Sequence, residues 1–221
     1  MVSPRLQERL YPGGGQFGFT AVDGTLPFLL RLHSVLKPGD TLLDYGAGRG
    51  FQTLACQGVK RHLLEFRQRG IRVVGVDVTA EVHENPLLDE ALRFNPDFSL
   101  PLPDASVDAV MADWVVEHLP DPAAACREIH RVLKPGGWLA FRTPNKWHYS
   151  MLASRLVPER LHARLLRRAQ SAGREERDVF PKHYRMNTAG TRRQYSCGTW
   201  ASTPTGSSPM KRSPPTCIST A

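Results

Sequence analysis

A chain of 221 residues, 41% hydrophobic and 23% charged, is long enough to close one hydrophobic core and gives no reason to expect two. Its longest apolar runs, Leu26 to Leu32 and Val107 to Met111, fall far short of the roughly 20 residues that cross a bilayer. The amino terminus lacks the apolar stretch and small-residue cleavage site of a secretory signal, so a cytoplasmic protein without membrane attachment is expected. The net charge of +8 would suit nucleic acid, but much of the excess lies between Arg155 and Arg193 with no aromatic-interleaved basic stripe, which reads as a solvated basic face and not a specific nucleic-acid surface. Cys56, Cys126, Cys197 and Cys217 form no C-x-x-C pair and have no histidine at a zinc spacing, so reduced thiols and no metal site are expected.

Residues 1–19 read as an amino-terminal arm or a flap, with Tyr11, Gly13 to Gly15 and Phe17 to Phe19 as its features. Leu29, Leu32 and Leu36 then recur at helical spacing and stop at Lys37-Pro38-Gly39-Asp40, after which Thr41 to Tyr45 reads as a buried strand. Phe51 to Arg69 is helix-compatible and closes at Gly70, and Ile71 to Asp77 is a second strand rich in β-branched residues. Ala80 to Phe94 reads as weakly helical, broken early by Asn85-Pro86. Val107 to Ala112 is a further strand, and Asp121-Pro122 supplies an N-cap with proline at the first helical position. Ala125, Ile129, Val132 and Leu133 line one face of the helix that follows, which ends at Lys134-Pro135-Gly136-Gly137 before the strand Trp138 to Phe141.

Strands alternating with helical patterns predict an α/β fold, Rossmann-like and doubly wound around a mainly parallel sheet, within residues 20–150. Residues 151–188 form a basic extension with an amphipathic helix at about Pro158 to Ala172, read as an outer helix with a solvated face or as a lid. Residues 189–221 are rich in Ser, Thr, Pro and Gly, contain no carboxylate and show no apolar period, which is the composition of a disordered tail.

The run Leu42 to Phe51 puts glycines at alternate positions, Gly46, Gly48 and Gly50, where a strand should turn into a helix. Glycine allows positive φ and close backbone approach to a ligand at such a turn. A dinucleotide site wants a third glycine at the position Phe51 occupies, which counts against a nicotinamide-dependent oxidoreductase. No Gly-Lys-Ser or Gly-Lys-Thr follows, which excludes a P-loop. Acidic Asp44 just ahead of the loop suits a zwitterionic amino-acid tail better than two phosphates.

In order along the chain, LLDYGAGRG, VVGVD, LPLPDASVDAVMADWVVEHLPDP and REIHRVLKPGGWLAFRTPN resemble the class I S-adenosylmethionine-dependent methyltransferases of the UbiE-like (methyltransferase type 11) branch, over about Thr20 to Tyr149. The resemblance implies S-adenosyl-L-methionine as cofactor, with its methionine part held by the loop at Gly46, Gly48 and Gly50 and its ammonium group near Asp44. It implies that Asp77 accepts hydrogen bonds from the ribose hydroxyls, a task to which a carboxylate is independently suited. Val78 would lie against the adenine and Phe98-Ser99-Leu100 would close its other side, with Asp97 a loose match to the acid that reaches the adenine amino group. Asp113 and Trp114 would face the sulfonium.

Methyl transfer is a direct displacement that needs alignment and exclusion of water, and a base only where the acceptor must lose a proton. His118 is the candidate base by type and place, with His148 and Tyr149 behind it; a histidine there can equally serve to tie the loop. The expected function is methylation of a small-molecule acceptor, and the alternative is a catalytically impaired S-adenosylmethionine-binding module. The alternative arises because the family completes its sheet with two further strands, the last antiparallel, and no strand is legible beyond Thr188. The edge of the Trp138 to Arg142 strand is then expected to be uncovered. Two accounts of that tail stand: a disordered extension, or a shifted reading frame, since suitable codons for Ser213 to Ala221 can encode Pro-Ser-Tyr-Leu-His-Phe-Asn in a neighbouring frame.

Overall fold

Successive side chains of a strand point to opposite faces of a sheet, so a strand covered on both faces must be apolar at consecutive positions. Leu42 and Leu43, Val73 and Val74, Ala109 and Val110, and Leu139 and Ala140 are such pairs, and all are buried. The computed structural model describes residues 25–50, 58–95, 97–143, 183, 185 and 216–220. The described elements are α1 (Thr25–Val35), β1 (Thr41–Tyr45), α2 (Gly58–Leu64), β2 (Arg72–Asp77), β3 (Glu90–Arg93), β4 (Val107–Asp113), α3 (Pro122–Val132), β5 (Leu133–Arg142) and β6 (Thr216–Thr220). The sheet order is β3-β2-β1-β4-β5-β6, and every pairing is parallel.

One member of each apolar pair goes to each face. Leu42, Val73, Ala109, Met111 and Ala140 pack with Phe28, Leu29 and Leu32 of α1. Leu43, Val74, Val110, Leu139 and Phe141 pack with Ala125, Cys126, Ile129 and Val132 of α3. Cys126 is buried there. The expected doubly wound arrangement is therefore present, and its order reverses between β1 and β4. In open α/β sheets a ligand crevice lies at the carboxyl ends of the strands at that reversal.

The N-cap read at Asp121 holds: its carboxylate accepts from the amides of Ala123 and Ala124, each at 3.0 Å, with Pro122 at the first helical position. Asp121→Ala is expected to cost about 1 kcal/mol of stability, measured by urea unfolding.

Two expectations are corrected. Ala80 to Phe94 is not a weak helix: Ala80–Glu84 is one 3-10 turn and Glu90–Arg93 is the edge strand β3. The free edge of β2 captures the segment, since the Asp89 amide donates to the Val73 carbonyl at 2.8 Å and the Asp89 carboxylate accepts from the Val73 amide at 2.7 Å. The tail is not free of strands either. Thr216–Thr220 pairs with β5 in register from Trp138↔Thr216 to Arg142↔Thr220, parallel where the family's last strand is antiparallel, and covers the edge expected to be bare. Backbone pairing needs only an open edge and extended chain, which Thr216, Ile218 and Thr220 favour as β-branched residues. The arm at 1–19, the basic helix at Pro158 to Ala172, His148, Tyr149 and residues 189–215 of the tail lie outside the described residues.

No described helix is long and apolar enough to cross a membrane.

Candidate functional site

The turn after β1 is fastened to β2 by two amides, Gly46 and Ala47, which donate to the Val76 carbonyl at 2.8 and 3.1 Å. Gly46, Gly48 and Gly50 have φ of 77°, 49° and 70°, the left-handed region that glycine occupies at no steric cost. A Cβ on Gly46 would stand 2.6 Å from the Val115 side chain, and one on Gly50 would stand 2.6 Å from Oδ1 of Asn85. At Gly48 there is open space, the nearest heavy atom being Oδ2 of Asp77 at 4.0 Å. The outer glycines thus let the loop pack on protein, and the middle one leaves room beside a carboxylate.

Asp77, at the end of β2, is buried. Its Oδ1 accepts from the amide and hydroxyl of Thr79 at 3.0 and 3.1 Å, and its Oδ2 accepts from the Gly48 amide at 2.9 Å. Each carboxylate oxygen has two lone pairs, so Oδ2 is the one with acceptor capacity left for a ligand. Asp44, near the end of β1, is half-buried and makes no hydrogen bond or ion pair among the described residues. Burial, then the negative charges of Asp113 and Asp77, push its pKa up to about 7. A cation brought beside this carboxylate would offset that cost.

Asn85 is a residue the sequence reading missed. Its buried amide nitrogen donates to the carbonyls of Ala47 and Gly48, both at 3.2 Å, and its Oδ1 accepts from the Leu87 amide at 3.1 Å. It clamps the glycine turn from the connection after β2. The one available signal was the Asn-Pro dipeptide, which reads only as a helix breaker.

On the β4 side the structure sorts the expected contacts. The Asp113 carboxylate is gripped by Arg142 at the end of β5, Nε to Oδ1 and Nη2 to Oδ2, both 2.7 Å. Its charge reaches the site, but its oxygens are engaged by protein. Trp114 follows with φ of 60° and a 41% exposed side chain. His118 ends the 3-10 turn Val116–His118 and is half-buried. That turn is braced beneath by buried Glu117, which accepts from the Thr143 hydroxyl at 2.9 Å, while the His183 amide donates to the Glu117 carbonyl at 2.8 Å.

Val78 and Phe98 are exposed apolar side chains after β2 and β3, as an adenine-facing pair would be. Leu100 differs from expectation: its side chain is in the core, its amide donates to Glu128 at 2.8 Å and its carbonyl accepts from Arg131 at 2.9 Å. No backbone donor remains there for adenine. Asp97 is turned onto Ser99, whose amide and hydroxyl hold its carboxyl below the usual range.

A family model for the methyltransferase domain matches residues 43–141, which run from within β1 to within β5 and hold these site residues except Arg142, Thr143 and His183. Over that segment the chain is a methyltransferase domain. Among curated relatives, an uncharacterized methyltransferase of Mycobacterium sp. (strain JLS) is 37% identical over 102 residues, 45% of this chain and 36% of that protein. A ubiquinone biosynthesis O-methyltransferase of Thiobacillus denitrificans is 29% identical over 185 residues, 72% of this chain and 75% of that protein. Among solved structures, a SAM-dependent methyltransferase of Methanosarcina mazei shares the fold with a TM-score of 0.50 at 21% identity, over 77% of this chain and 83% of that one. The chain therefore spans little more than a third of the first of these relatives and three quarters of the second.

S-adenosylmethionine is the cofactor implied by such relatives as a probable S-adenosylmethionine-dependent methyltransferase of Mycolicibacterium smegmatis, 37% identical over 117 residues, 51% of this chain and 41% of that protein. The residues present fit it: the space at Gly48 is one a Cβ would begin to fill, Oδ2 of Asp77 has a lone pair to offer, and Asp44 is a carboxyl group with no ion pair among the described residues.

Proposed function

We propose that this chain binds S-adenosylmethionine across the carboxyl ends of β1, β2 and β4 and moves its methyl group to a small-molecule acceptor. The observation that carries the reading is the pair of carboxylates, Asp44 without a partner among the described residues and Asp77 with one lone pair left on Oδ2, beside the positive-φ glycine turn. Asp44 takes the ammonium group of the amino-acid tail. The Gly46 to Gly50 turn passes close beneath that tail, and Oδ2 of Asp77 takes a ribose hydroxyl. Val78 and Phe98 enclose the adenine by apolar contact, without Leu100. Asp113 acts through its charge and its bond to Arg142.

Bound there, the cofactor supplies an electrophilic methyl group on a sulfonium, and the chain's own part is alignment and exclusion of water. Trp114 and the turn at Val116–His118 stand at the end of β4, where the acceptor must approach. His118 accepts the acceptor's proton where the nucleophile is a hydroxyl; the likeness to an O-methyltransferase supports an oxygen acceptor.

Calorimetric titration with S-adenosylhomocysteine tests the reading. Wild type is expected to bind, and Asp77→Ala to weaken binding by about 1.5 to 3 kcal/mol, the worth of a charge-assisted hydrogen-bonding group. Gly48→Ala puts a Cβ into the open space 4.0 Å from Oδ2 of Asp77, so it should weaken ligand binding while the φ of 49° costs about 1 to 2 kcal/mol of stability. Unchanged affinity in Asp77→Ala would sink the assignment.

A further inference from the structure

We propose that Arg142 is a positioning residue that holds Trp114 in place as the acceptor-side wall of the methyl-transfer site, a reading that rests on the proposed cofactor site. Each of the three guanidinium nitrogens of Arg142 makes a hydrogen bond. Nε and Nη2 fork onto the two oxygens of Asp113, and Nη1 donates to the Thr25 hydroxyl of α1. The guanidinium carbon lies 5.6 Å from the Phe28 ring centre and 5.5 Å from that of Trp114, so the cation stands between two aromatic rings. The backbone closes the same unit, because the Trp114 amide donates to the Arg142 carbonyl at 2.8 Å.

Trp114 itself is costly in two ways. Its φ of 60° lies in the left-handed region that bulky residues avoid, and its indole, the largest apolar side chain available, stays 41% exposed. Strain of this kind persists only where neighbours over-determine it, and it gathers at ligand sites. Its position is next to the proposed cofactor: Val115 packs against Gly46 of the turn, and the charge of Asp113 is felt at Asp44. An exposed indole face there suits stacking against a flat acceptor.

A mere tie between β4 and β5 needs nothing of the sort. At the opposite end of the same strand pair, Lys134 reaches Asp108 at 2.7 and 2.9 Å with its side chain 43% exposed. The carboxyl end uses instead a buried planar cation, a bidentate fork and two aromatic faces. That difference is what fixing an indole in one orientation requires.

Fluorine NMR of protein containing 5-fluorotryptophan, with W114F to assign the resonance, tests the proposal beside calorimetry with S-adenosylhomocysteine. In wild type the Trp114 resonance is expected to shift on binding. In R142M it should move and lose that response, and in R142K, which keeps the charge but not the fork, it should be intermediate. An unresponsive Trp114 in wild-type protein that binds S-adenosylhomocysteine overturns the proposal. So does an R142K protein indistinguishable from wild type, whether or not R142M folds. Absence of binding by calorimetry removes the cofactor reading instead, and this inference with it.

Discussion

S-adenosylhomocysteine is expected to bind about tenfold more weakly for each pH unit below about 7, a loss of about hundredfold by pH 5. The site offers a carboxylate whose proton is held up to about 7 by burial and by the charges of Asp113 and Asp77. Pairing with an ammonium group requires that proton to leave, while the ligand's amine stays protonated below about 8. Affinity therefore rises with pH through the window just below 7 and binding releases a proton. Asp44→Asn should flatten the profile and weaken binding at pH 7.5 by about tenfold to hundredfold.

The same residue should act on stability in the opposite sense. Raised from 3.8 to about 7, the folded-state pKa means that the folded chain holds the proton more tightly than the unfolded one. The penalty for ionising Asp44 is absent below about 4, grows as pH rises, and is complete above about 7, at up to about 4 kcal/mol. Asp44→Asn should then raise the unfolding midpoint at pH 8 and change it little at pH 3.5. A variant less stable than wild type at pH 8, or a cofactor affinity flat between pH 5 and 7, contradicts this account.

The second large effect is expected at Asn85. Asn85→Ala removes three hydrogen bonds, leaves the Leu87 amide and two turn carbonyls short of a buried partner, and should cost about 2 to 3 kcal/mol of stability. Cofactor affinity should fall with it, because the turn at Gly48 loses its clamp. Gly50→Ala is expected to be severe in wild type, where its Cβ would meet Oδ1 of Asn85 at 2.6 Å on a φ of 70°. In the Asn85→Ala background the collision is gone and about 1 to 2 kcal/mol of backbone strain remains. Chemical denaturation of the four proteins in the cycle should show a coupling of about 1 kcal/mol or more; effects that add within about 0.5 kcal/mol would mean the two residues do not meet.

Much of the site was legible because strand-to-turn boundaries carry local punctuation. The apolar pairs Leu42-Leu43 and Val73-Val74 declared strands covered on both faces, and the alternating glycines after Tyr45 declared a turn of positive φ. Asp121-Pro122 declared the start of α3 in the same local way. The pattern also placed Asp44 and Asp77 near strand ends, while the roles proposed for them came from the resemblance. None of these readings needs knowledge of what lies across the sheet.

What the tertiary structure alone decided is which partners each group meets. Glu90–Arg93 and Thr216–Thr220 are strands because open edges of β2 and β5 satisfy their backbones, a driving force that resides in the neighbour and leaves no period in the segment itself. Leu100 sits near the expected adenine pocket in sequence, but Glu128 and Arg131 of α3 claim its backbone. Asn85 is 37 residues from Gly48, and Arg142 is 29 residues from Asp113. Local sequence fixes backbone direction and the periodicity of burial; contacts between residues this far apart depend on how strands stack, so the clamp on the glycine turn and the cation behind Trp114 exist only once the sheet has formed.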